Sequence, residues 1–157
     1  MSVDTAKKFK SWHAVVLLAV LFVGMGLKLY SYHLNAAQVK IGNRIYDVLV
    51  AKTMSQQYRG WSRYRDMGGV EGKLFVFNAR SQHAMVMRDM IFPLDMIWLD
   101  GETVVDMAPG VPIEPGKSEA DLTPYFARAP STMVLEMASG TIADSGLKIG
   151  DNVGIAW

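Results

Sequence analysis

Apolar positions along this chain fall into two regimes. Residues 14–27 form an apolar and small-residue run without charge, whereas beyond residue 37 apolar residues come in short clusters broken by glycine, proline and charge. Extended to its flanking aromatics, the first run covers residues 12–34. As a helix it would reach about 35 Å, enough for a hydrocarbon core of about 30 Å. Trp12 marks one edge and Tyr30 and Tyr32 the other; Lys28 lies near the end, where its ammonium reaches the headgroups. The pattern predicts a tail over 1–11, a transmembrane anchor over 12–34 and one domain over 38–157.

Within that domain the period is mostly two. Residues 45–51 are apolar and β-branched, and residues 39–41 before Gly42-Asn43 can pair with them as a hairpin. Thr53-x-x-Gln56 has capping-box spacing and opens a short helix, with Met54, Tyr58 and Trp61 as its apolar stripe. Residues 73–77 and 84–87 read as strands. Residues 94–107 read as a hairpin with Asp100-Gly101 as a two-residue turn whose central positions both need positive φ. Residues 108–130, with Pro109, Pro112, Pro115, Pro124 and Pro130, read as a long irregular loop. Strand pattern returns at 132–137, one helical turn falls between Gly140 and Gly146, and a last strand covers 152–157. Short strands without a βαβ rhythm predict an α+β domain, mainly antiparallel and barrel-like, with one or two short helices.

Charge orients this layout. Lys7, Lys8 and Lys10 precede the apolar run against Asp4 alone, a flank that stays in the cytoplasm. The expectation is a single-pass inner (cytoplasmic) membrane protein, its C-terminal domain in the periplasm or outside if the source is bacterial. The alternative is a cleaved signal peptide and a secreted domain, but residues 35–37 make a poor cleavage site. There is no cysteine, which excludes a lipid-modified N-terminal cysteine, disulfides and thiolate sites. Of 16 basic and 15 acidic residues, four lysines and Asp4 precede residue 38, leaving the domain 12 against 14. A charge of about −2 gives no footprint for nucleic acid, although Gln57 to Arg65 interleaves aromatic and basic residues.

Arg59-Gly60, Gly72-x-Leu74-Phe75-x-Phe77, Met87-x-Asp89, Pro93-Leu94-Asp95, Val134-Leu135-Glu136 and Gly150-Asp151 occur in this order. Together they resemble the domain-of-unknown-function 192 family, also called uncharacterised protein family 0127. Its motifs run R-G-L-M, G-M-L-F-x-F, F-W-M-x-N-T-x-x-P-L-D, V-L-E and G-D. The resemblance covers about residues 45–157. It implies a compact β-rich domain, often exported behind a signal or anchor, and supplies no reaction. This chain is a divergent member: Trp61-Ser62 stands for L-M, Lys73 for the usual methionine, Met85-Val86 for F-W and Asp89-Met90 for N-T.

Candidate chemistry is sparse. His83 is the domain's only histidine, and neither Ser62 nor Ser81 lies in a nucleophile elbow. Asp95 enters an apolar strand, where a carboxylate needs a partner or a purpose. A ligand pocket bounded by Arg59, Asp89, Asp95 and the proline-rich loop is therefore one expectation, and a small envelope hydrolase using Asp89 and Asp95 is its catalytic version. His83, Met85, Met87 and Met90 together resemble a soft Cu(I) site, against which stands methionine as core filler. The preferred expectation is a non-catalytic, membrane-anchored extracytoplasmic domain, without a cofactor, that binds a membrane or envelope protein or another envelope ligand. Residues 12–34 would contact the lipid.

Overall fold

The computed structural model describes residues 11–31 and 34–157, in two units that divide at residue 33. The first holds helix α1 (Ser11–Ser31). Within it Trp12–Tyr30 is long and apolar enough to cross a membrane, with none of its surface buried. Length and composition make this an anchor or a signal sequence. Most of the tail expected over 1–11 lies outside the described residues.

The second unit is built on strands β1 (Asn35–Ile41), β2 (Arg44–Ala51), β3 (Gly72–Ser81), β4 (Ala84–Met85) and β5 (Leu94–Asp100), then β6 (Thr103–Val111), β7 (Tyr125–Phe126), β8 (Ser131–Ala138) and β9 (Gly154–Ala156), with helices α2 (Met54–Arg59) and α3 (Thr141–Ser145). Seven strands form one curled sheet in the order β6-β5-β8-β3-β2-β1-β9, and β4 pairs separately with β7. All pairs are antiparallel except β2 with β3. The curl brings the start of β6 to the segment before β9, where Thr103 bridges Asn152. The mainly antiparallel, barrel-like α+β architecture expected from the pattern is thus the observed one, as a half-barrel.

Strand parity sorts the core into two clusters. Leu74, Ile97, Leu99 and Leu135 join Val39 and Val48 in one; Phe75, Met96, Trp98 and Val134 join Trp61 and Met87 in the other. Strands β3, β5 and β8 are therefore covered on both faces and read as nearly continuous apolar runs. Strands β1 and β2 bury mainly alternate residues. Gly72 is where β3 presses closest on β8: a Cβ there would come within 2.4 Å of the Met137 sulfur and 2.6 Å of the Glu136 carbonyl oxygen.

Several local expectations shift. The capping box at Thr53 forms as expected, with the Gln56 amide donating to Thr53 Oγ1 and the Thr53 amide donating to Gln56 Oε1. The helix stops at Arg59, however, so the stripe does not form: Met54 and Tyr58 are 86% and 64% exposed while Trp61 is buried. The β5–β6 turn sits one residue later than expected. Asp100 pairs with Thr103, leaving Gly101-Glu102 as the loop, and Gly101 alone takes positive φ, which suits a II′ turn. Strand β6 continues through Pro109, tolerated because β6 is the sheet edge. The expected loop 108–130 therefore loses its beginning to β6 and contains a 3-10 turn over Glu119–Asp121 and strand β7. Residues 84–87 keep ladder pairing only at Ala84 and Met85.

Candidate functional site

The second cluster does not fill its face of the sheet. A cavity of about 310 Å³ opens there, walled by Trp61, Phe75, Phe77, Met85 and Met90, with Tyr58, Arg59 and Arg88 among its polar lining and Glu136 also lining it. Parity explains the membership. Glu136 alternates with Met137 and Leu135 of the first cluster, so it shares the face of Val134. Lys73 alternates with Leu74, shares the face of Phe75, and lies directly opposite Glu136 across the β3–β8 ladder.

These two buried charges dominate the local electrostatics. Lys73 is fully buried. Its Nζ donates to the Gly60 carbonyl and lies 4.0 Å and 4.5 Å from the ring centres of Trp61 and Tyr64. That cage supplies cation–π attraction in place of water. Burial nevertheless pulls the ammonium down to about 8; Glu136 opposes that shift, and the nearby Arg59 cation adds to it. Glu136 is buried too. Burial pushes it up to about 8, with Lys73 pulling the other way. Burial thus works against the charge on both groups, and each tempers the other's shift. The Nε1–H of Trp61 is buried without a hydrogen-bond partner among the described residues.

Arg88 braces the rim. It donates to the Tyr58 carbonyl at 2.6 Å and to both carboxylate oxygens of Glu119, and stacks 4.0 Å over the Tyr58 ring. The same pairing holds the Glu119 carboxyl below its ordinary range. Arg88 thereby ties the proline-rich segment to α2. Ser62, a hydroxyl lining the cavity, donates to the Arg88 carbonyl at 2.9 Å.

Among the residues singled out from sequence, Arg59, Met85 and Met90 reach the cavity; Asp89, Asp95, His83 and Met87 do not line it. Asp89 is exposed, with φ of +50°. Asp95 belongs to the opposite parity of β5 and is fully buried. Its carboxylate accepts from the amides of Gly110 at 2.8 Å, Gly140 at 3.1 Å and Ile142 at 2.7 Å. The carboxylate that needed a partner or a purpose thus clamps the end of β6 to the start of α3. His83 stacks on Phe77 at 3.6 Å, with Nε2 2.9 Å from the Ala79 carbonyl oxygen. Met85, Met87 and Met90 pack into the second cluster beside Trp61 and Trp98, which accounts for the methionines as filler. Among the described residues no group of three or more His, Asp or Glu side chains is placed to hold a metal.

Glu136 and Lys73 were the functional candidates missed from sequence. Each is the single charge inside an apolar strand run, the same signal that drew attention to Asp95.

The fold and cavity define a class: a curled half-barrel, mainly antiparallel, with a cavity opening on one face beside buried ionisable groups. The chain belongs to the DUF192 family, described as Uncharacterized ACR, whose profile matches residues 37–155. Two crystal structures share the fold. A protein of unknown function from Novosphingobium aromaticivorans is 27% identical, over 77% of this chain and 84% of that one, with a TM-score of 0.64. A proposed transcription regulator from Sinorhizobium meliloti is 26% identical, over 78% of this chain and 94% of that one, with a TM-score of 0.65. No curated protein matches.

Proposed function

We propose that this chain is a membrane-tethered binding domain, held by α1 with the half-barrel outside the cytoplasm, whose cavity takes a small amphipathic molecule. The observation that carries this reading is the cavity itself. Its aromatic and methionine walls surround the carboxyl of the buried Glu136 and the polar side chains of Tyr58, Arg59 and Arg88. Ligand sites have this character, mostly apolar with a few polar groups that fix orientation. A volume of about 310 Å³ suits a small molecule better than a peptide. The cavity offers no assembled nucleophile: Ser62 gives its hydrogen bond to a backbone carbonyl, and His83 does not line the cavity.

Native mass spectrometry of the full-length chain, extracted gently from its own membranes, tests this. The expected result is a small-molecule adduct on a chain of uncleaved mass, lost when the lining residue Ala84 is replaced by tryptophan to fill the space. An adduct insensitive to Ala84→Trp would place the ligand elsewhere. A bound protein instead would favour a partner surface around the exposed Met54 and Tyr58.

A further inference from the structure

Resting on the reading of α1 as a retained anchor, we propose that the half-barrel docks on the bilayer surface through the face that carries Lys52, Met54, Tyr58 and Trp157. Backbone register gathers this face at one end of the sheet. Asn35 at the start of β1 pairs with Val50, so Lys52 and Met54 follow just beyond that end. Gln38 pairs with Ala156, which brings the next residue, Trp157, to the same end. The Lys52 Nζ lies 4.4 Å from the Trp157 ring centre, so the two meet across β1. Met54 and Tyr58, four apart on α2, both line the cavity.

Three observations make lipid the occupant. The first is composition. Met54, Tyr58 and Trp157 are 86%, 64% and 64% exposed, and Trp, Tyr and Lys beside an apolar side chain are the set that settles at a membrane interface, with rings among the headgroups and the ammonium in water. The second is chain length. Residues 32–34 alone separate the end of α1 from β1, a reach of at most about 14 Å when fully extended, roughly twice the depth of the headgroup layer. The chain enters the sheet at the end that bears Lys52 and Trp157. The third is the side of entry: Leu34 packs against the second cluster, the one whose face carries the cavity. So short a tether makes docking intramolecular, with an effective concentration in roughly the millimolar range, and a small patch then suffices where a free domain would need a larger one. Apolar and aromatic burial holds the contact, not net charge: the domain has more acids than bases, and Arg88 at the rim is matched by Glu119. Because Met54 and Tyr58 belong both to the docked face and to the cavity lining, a ligand of the cavity enters from the membrane side.

The test uses the full-length chain labelled with 5-fluorotryptophan in phosphatidylcholine nanodiscs, with and without a lipid that carries a nitroxide on its headgroup. Trp12, Trp61, Trp98 and Trp157 are the chain's tryptophans, and single phenylalanine variants assign their fluorine resonances. The nitroxide is expected to broaden Trp12, the anchor's control, and Trp157, the reporter of the docked face, and to spare Trp98 in the core. Replacing Met54 and Tyr58 together by aspartate should restore most of the Trp157 signal while Trp12 stays broadened, and an unmoved Trp98 shift verifies the fold. Met54→Asp alone, at an exposed first-turn position that favours an acid, repeats the test without disturbing the Arg88 stack on Tyr58. A Trp157 signal broadened equally in parent and variants would overturn docking, because the tether alone would then account for the proximity. A sharp Trp157 beside a broadened Trp12 would overturn it while leaving the anchor reading in place; a protein retained by that parent and lost from the variants would give the face to a protein partner. A sharp or missing Trp12 signal would remove both.

Discussion

Replacing Asp95 by asparagine should cost this domain a large part of its stability without touching the cavity. The carboxylate is fully buried and accepts three backbone N–H groups, from Gly110 on one oxygen and from Gly140 and Ile142 on the other. Asparagine keeps one acceptor oxygen. Its best placement serves Gly140 and Ile142 and turns the NH2 group toward the Gly110 N–H, donor against donor. One orphaned buried amide costs about 1–3 kcal/mol, and exchanging charged for neutral acceptance at the other two adds about 1 kcal/mol. The sum is about 3 kcal/mol, a fall of about 10–15 °C in Tm for a domain of this size. Asp95→Ala, which orphans all three amides, should cost about 5 kcal/mol. Thermal unfolding of the full-length chain in nanodiscs, followed by near-ultraviolet circular dichroism, reads both. A Tm within about 3 °C of the parent for Asp95→Asn would refute the clamp. Loss of cavity ligand at unchanged Tm would return Asp95 to the functional site.

Four further outcomes follow from the same geometry. Gly72→Ala places a methyl against the Glu136 carbonyl and Met137 sulfur, and overpacking of that severity should cost about 3 kcal/mol in denaturant unfolding. Stability should pass through a minimum near pH 8. Glu136, raised to about 8, makes the native state the stronger proton binder from its unfolded value up to about 8, so stability falls over that range. Lys73, lowered to about 8, reverses the sign between there and its ordinary value; Glu136→Gln should remove the falling limb, and a flat parent profile would contradict the pair's burial. Lys73→Met, the family's usual residue, should stabilise by about 1–2 kcal/mol in denaturant unfolding by sparing the desolvated ammonium. Arg88→Gln should speed amide exchange over residues 118–122. In the parent, the Arg88–Glu119 contribution is present above the ordinary carboxylate pKa and should disappear as pH falls through the lowered Glu119 value; unchanged exchange would mean the segment is held by other contacts.

What could be read from the linear chain was whatever depends on neighbours in sequence. The membrane-competent helix follows from an uninterrupted apolar run. The hairpin of β1 and β2 and the capping box at Thr53 follow from local turn and cap chemistry, and the family follows from motifs in fixed order. The parallel pairing of β2 with β3 and the return of β8 between β3 and β5 join residues far apart, so no local period encodes them. The candidate site turns on the same distinction. Asp95, Glu136 and Lys73 look alike in sequence, single charges in apolar strands. Strand parity sends Asp95 to one face, where three amides satisfy it, and Glu136 with Lys73 to the other, where Glu136 lines the cavity. Sequence alone singled out Asp95, as a carboxylate entering an apolar strand; tertiary packing decided the surroundings of all three charges, because the backbone amides and the cavity that meet them come from other strands and loops.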